Sequence, residues 1–112
     1  MFRSEDFPND ENGDVLRRMR DSGDNFALPR DFEFTVVFAT REAVQAFGDH
    51  FAQLGYEVVA NESGHVPELP WDVTVVTHML PTHAAITAFE AELQRVATPL
   101  GGRNDGWGCF EQ

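Results

Sequence analysis

Two runs of apolar residues repeat with one offset. Val44, Phe47, Phe51 and Leu54 stand at the 3-4-3 spacing that lines one face of a helix, and Ile86, Phe89, Leu93 and Val96 stand at the same spacing 42 positions later. Thr40 and Thr82 precede the two runs at the same offset, each placed so that its hydroxyl accepts from the free N–H groups of a first helical turn. A pair of matched helices over residues 40–54 and 82–98 follows, and a chain that carries the same helical unit twice needs strands to bury both stripes.

The strands are legible around them. Residues 31–38 alternate, with Phe32, Phe34, Val36 and Phe38 on one side and Glu33, Thr35, Val37 and then Ala39 on the other, the first set facing the core. Gly55 stops the first helix, and residues 56–61 read as a second strand. Residues 62–70 carry Ser63, Gly64, Pro67 and Pro70, the composition of a hairpin-type loop. A third strand spans 71–79, Pro81 halts it, and Pro99 with Gly101 and Gly102 ends the second helix before a last strand around Trp107. Strand-helix-strand laid down twice gives β-α-β-β-α-β, a ferredoxin-like α+β sandwich of two layers in which both helices cover one face of a four-stranded antiparallel sheet. Val15, Leu16 and Met19 add a short helix within residues 10–23, covering part of the sheet. The expected organisation is a single domain over 1–112, with a flexible N-terminus at 1–9 and the ferredoxin-like core at 31–111.

Charge narrows the partners. The formal net charge is −11, and all eight basic residues are arginine. Gripping nucleic acid through its phosphates takes clustered positive charge, so direct nucleic-acid binding is not expected, and a protein with a basic surface is the complementary partner. Cys109 is the sole cysteine and has no partner for an internal disulfide. With no basic start followed by an apolar run, neither export nor membrane insertion is indicated, and the expected location is cytoplasmic.

No catalytic or cofactor-binding constellation emerges. His78 and His83 lie close in sequence, yet no acidic residue stands between positions 73 and 88 to join them and no second cysteine is present, so a metal is not expected; His50 and His65 lack partners at a telling spacing. Cys109 sits near Glu111, where negative charge disfavours thiolate, and reads as a small buried hydrophobe. Phe38-Ala39-Thr40-Arg41 lacks the glycines of a phosphate cradle, and the strands lack the aromatic and basic motif of base-stacking sheets. Asp31, Glu33, Asp49, Glu57, Glu62, Glu68 and Asp72 read as a solvated acidic surface rather than paired catalytic carboxylates.

The most distinctive stretch comes last. Gly101-Gly102-Arg103-Asn104-Asp105-Gly106-Trp107-Gly108-Cys109-Phe110-Glu111 packs four glycines and a tryptophan into eleven residues. Gly106 and Gly108 flank Trp107, which is expected in the core, and alternation would point Asp105, Trp107 and Cys109 one way and Gly106, Gly108 and Phe110 the other. Asp105-Gly106-Trp107-Gly108-Cys109, taken with Leu28-Pro29-Arg30-Asp31-Phe32-Glu33-Phe34, Leu54-Gly55-Tyr56-Glu57-Val58 and Trp71-Asp72-Val73 in that order, resembles the regulator of ribonuclease activity B family over roughly residues 14–111. The resemblance implies a non-enzymatic regulator that binds ribonuclease E, lowers its activity and alters which RNAs decay. Asp72, Asp105 and Glu111 are the acids expected to meet that partner, and the 105–109 motif is expected to be mainly structural. Family members can carry a long acidic tail past the motif, whereas this sequence ends at Gln112; where such a tail makes the inhibitory contact, the fold is expected without the activity. Two other readings stay open: a structural or self-associating module, with Val37 and Val76 on the second sheet face as a homodimer contact, and a small-molecule binder with a concave site.

Overall fold

The computed structural model describes residues 10–109, with side chains throughout except at 63–66. The expected flexible N-terminus lies outside them. In chain order the elements are α1 (Glu11–Asp21), β1 (Arg30–Phe38), α2 (Arg41–Gln53), β2 (Glu57–Val66), β3 (Leu69–Met79), α3 (His83–Ala97), a 3₁₀ turn (Thr98–Leu100) and β4 (Arg103–Cys109). The sheet is antiparallel with strand order β2-β3-β1-β4, the ferredoxin-like order, so β1 and β3 are central and β2 and β4 are edges.

Both threonine caps form as their matched positions demand. The Thr40 hydroxyl accepts from the Ala43 N–H and that of Thr82 from the Ala85 N–H, each at 3.1 Å. Val44, Phe47 and Phe51 of α2 and Ile86 and Leu93 of α3 are buried against Phe32, Phe34, Val36 and Phe38 of β1 and Val73 and Val75 of β3. Leu54 departs from the expected stripe and is 62% exposed. The reason is local: α2 stops at Gln53, Leu54 is its C-cap, and the chain turns at Gly55 before the stripe completes another step. Burying an aromatic core of this kind supplies the main driving force, at about 25 cal/mol per Å² of apolar surface removed from water.

Helix α1 is held at its start by Asp10, whose carboxylate accepts from the Gly13 N–H at 2.8 Å. Acids lie in its first turn and Arg18 and Arg20 in its last, the order the helix dipole favours. Leu16 and Met19 are buried in the common core, and α1 packs beside α3.

The expected loop at 62–70 is instead hairpin. β2 continues to Val66 and β3 begins at Leu69, leaving Pro67 and Glu68 as the turn. Proline usually ends a strand because it cannot donate to the ladder; here the register shifts between Glu62 and Val66, and Pro70 sits opposite that irregular stretch, where a missing N–H breaks no regular pair.

Candidate functional site

Strand β4 carries the glycine-tryptophan motif, and its geometry turns on one irregularity. Trp107 pairs with Phe34 and Asn104 with Val36, so the two residues Asp105 and Gly106 lie opposite the single Thr35. This is a β-bulge, and Gly106 adopts φ +103°, a left-handed conformation that L side chains rarely take. The extra residue reverses the alternation upstream of it. Asn104, Trp107 and Cys109 therefore turn toward the helices while Asp105 is exposed, which corrects the expectation that Asp105 shares a face with Trp107.

Trp107 is half-buried at the rim of the core rather than enclosed within it. Its ring lies 5.5 Å from Phe32 and 6.5 Å from Phe34 between centroids. The indole N–H donates to the Asn12 Oδ1 at 2.8 Å, and the Asn12 amide donates in turn to Thr87 and Glu90 of α3. Asn104 fixes the other end of the strand: its N–H donates to the Gln94 side chain at 3.1 Å and its amide to the Glu90 carbonyl at 3.0 Å. Asn12 carried no motif in the sequence, and its role comes only from the docking of α1.

Cys109 is likewise half-buried and packs at the margin of the core, near the Arg30 guanidinium. Arg30 is itself buried, with Nη1 2.6 Å from Asp24 and Nη2 donating to the Asn25 and Leu28 carbonyls at 2.9 Å. The hydrogen bond to Asp24 holds the Arg30 proton more tightly than usual against the opposing effect of burial, and Cys109 adds to the same direction.

The described helices all pack on the Phe32, Phe34, Val36 and Phe38 side of the sheet, and none of them packs on the other. Register places Glu57, Val76, Glu33 and Gly108 side by side in one row across all four strands, Val59, Thr74 and Thr35 in the next, and Asn61, Asp72, Val37 and Arg103 beyond. Asp31 and His78 form a further pair, with Nδ1 2.8 Å from the carboxylate. A depression of about 360 Å³ opens here, lined by Asp31, Glu33, Glu57 and Val76, with Gly108 and Cys109 at its β4 margin. Val37 is fully buried although it lies on this face, between Asp72 and Arg103 of the neighbouring strands.

The acids expected to meet a partner are not gathered in one place. Asp72 is half-buried on the open face, and its Oδ1 is buried without a hydrogen-bond partner among the described residues. Asp105 is exposed at the bulge on the β4 edge, and Glu111 lies outside the described residues. Glu33 and Glu57, which sequence reasoning placed only in a general acidic surface, are brought together by the β1–β3–β2 register. The period-2 alternation of β1 carried half of that signal; strand order carried the rest and is not written locally.

His78 and His83 do not meet. His78 pairs with Asp31 on the open face, and His83 pairs with Asp10 at the start of α1 at 2.9 Å. Among the described residues no group of three potential ligands could hold a metal ion, and no helix is long and apolar enough to cross a membrane.

A search of curated proteins finds no match to the sequence. A family model described as Regulator of ribonuclease activity B matches residues 9–109, a span that takes in every helix and strand described above. The chain belongs to the regulator of ribonuclease activity B family.

Proposed function

We propose that this chain is a non-enzymatic, cytoplasmic regulator that binds an endoribonuclease of the ribonuclease E type through protein–protein contact and lowers its activity, altering RNA decay. The observation that carries the reading is the family match over residues 9–109. The net charge of −11 agrees in sign, since an acidic protein is suited to the basic surfaces of an RNA-processing assembly and repels the RNA itself. In this reading Asp72, Asp105 and Glu111 contribute to the contact, and the 105–109 motif maintains the β4 edge on which Asp105 is displayed.

A cleavage assay with ribonuclease E and a structured RNA substrate, run with increasing amounts of this protein, tests the proposal. Slower cleavage is expected, together with co-purification of the two proteins that weakens steeply from low to physiological ionic strength. Unchanged cleavage and no co-purification at micromolar protein would remove the reading. Sedimentation of the protein alone as a stable homodimer, with no ribonuclease binding, would favour the self-associating module instead.

A further inference from the structure

We infer that the helix-free face of the sheet is the docking surface, and that its occupant is an arginine- or lysine-bearing segment of a protein partner. The inference rests on the regulatory reading above and assigns that reading a place on the molecule. The helices pack on the other face, over the aromatic core of β1. On the helix-free face Val59 is 44% exposed, Val76 is half-buried, and Thr74 and Thr35 continue the Val59 row toward β4. This strip is weakly apolar, suited to the aliphatic stems of long basic side chains.

Carboxylates bracket the strip. Glu33 and Glu57 flank Val76 on the neighbouring strands, two strand spacings or roughly 10 Å apart. Neither pairs with a cation among the described residues, and Asp31, which is paired with His78, lies one step along β1. A cation lying between them is about half a Debye length from each at 0.1 M salt, so the attractive potentials of the two glutamates add there. The depression of about 360 Å³ lies at this point. Past the threonine row lies Asp72, half-buried beside the fully buried Val37. A guanidinium, whose planar fork matches a carboxylate with two donors, is the group best suited to the exposed Glu33 and Glu57.

Two other occupants fit poorly. A second copy docked by a two-fold axis would bring the same carboxylates against themselves, and RNA would bring phosphates.

The test uses isotope-labelled full chain and two probes: a short peptide of alternating arginine and alanine, and a mixed-sequence single-stranded RNA. Glu33→Lys/Glu57→Lys is compared with Glu42→Lys/Asp49→Lys, which reverses as much charge on the outer surface of α2. Thermal melts confirm that both variants fold. The peptide is expected to shift amides of β1, β2 and β3 at Asp31, Glu33, Glu57, Val59, Thr74 and Val76, with affinity reduced roughly tenfold or more in the sheet variant and much less in the helix variant. Shifts spread over α2 and α3, the absence of saturable binding, equal losses in the two variants, tighter binding of the RNA, or a dimer abolished by the sheet variant would each overturn the inference. Ribonuclease E capture separates the two proposals. If the peptide maps to the face and ribonuclease E is not captured, the surface stands and the ribonuclease reading falls. If ribonuclease E is captured equally by the wild type and the sheet variant, the surface falls and the ribonuclease reading stands.

Discussion

The indole N–H of Trp107 donates to the side-chain carbonyl of Asn12 at 2.8 Å, tying the last described strand to the first helix across 95 positions of sequence. Asn12 spends its amide protons on Thr87 at 3.1 Å and Glu90 at 2.7 Å, so one side chain joins α1, α3 and β4. Asn12→Ala leaves the half-buried indole N–H and the Glu90 carboxylate without these partners, and should destabilise the protein by about 1–3 kcal/mol. Chemical denaturation followed by tryptophan emission measures it. A change under about 0.5 kcal/mol would mean that water replaces Asn12 without penalty and that α1 is not anchored here.

A buried ion pair holds the approach to β1. The side chains of Arg30 and Asp24 are 2% and 0% exposed, and the guanidinium also satisfies the carbonyls of Asn25 and Leu28, organising the turn that leads into the strand. Removing one partner strands the other charge in a poorly solvated place, so Asp24→Ala should cost about 3–5 kcal/mol. Arg30→Ala should cost at least as much, because two carbonyls lose donors as well. Urea melts of the two variants check the order, and a smaller loss for Arg30→Ala would show that the carbonyls find water instead.

Neighbouring glycines make opposite demands. A Cβ on Gly102 would stand 2.3 Å from the Phe38 ring, whereas one on Gly108 meets nothing within 4 Å, and neither position has the positive φ of Gly106. Gly102→Ala should therefore destabilise by about 1–3 kcal/mol through overpacking, and Gly108→Ala should stay within about 0.5 kcal/mol of wild type. Thermal melts of the pair suffice. Equal effects would contradict the close approach of the Gly102 backbone to Phe38.

How much of this was legible depends on the range over which each feature is encoded. Alternation along 31–38 fixed which side of β1 meets the helices, and the matched threonines marked both helix starts, because caps and periodicity act within a few residues. Leu54 continued a periodic stripe in the sequence but lies past the point where α2 ends. Pro67 and Pro70 read as loop because proline opposes pairing, and the irregular register that admits them belongs to two strands at once. Asp105 lies on the face opposite to the one that simple alternation gives for a related reason: one inserted residue at Gly106 inverts the alternation, and only the pairing with β1 exposes it. The open acidic face was legible as charge and not as a place, since Glu33 and Glu57 become neighbours only when β3 lies between β1 and β2.

The same distinction between local and non-local encoding bears on pH. Asp10 caps α1 through the Gly13 N–H and also touches His83 at the start of α3, and these interactions, the backbone hydrogen bond first, lower its pKa below the ordinary 3.8. A carboxylate with a depressed folded-state pKa stabilises the fold wherever it is ionised in both states, so its contribution is complete above 3.8 and is lost as pH falls through the lower folded value. Asn is also a good N-cap, so Asp10→Asn keeps the cap and removes the charge. Wild type should melt above Asp10→Asn near about pH 6, and the gap should close as the pH is lowered past the ordinary aspartate range, about 4 and below. A gap that persists or widens on acidification would show that the Asp10 charge does not hold α1 to the start of α3.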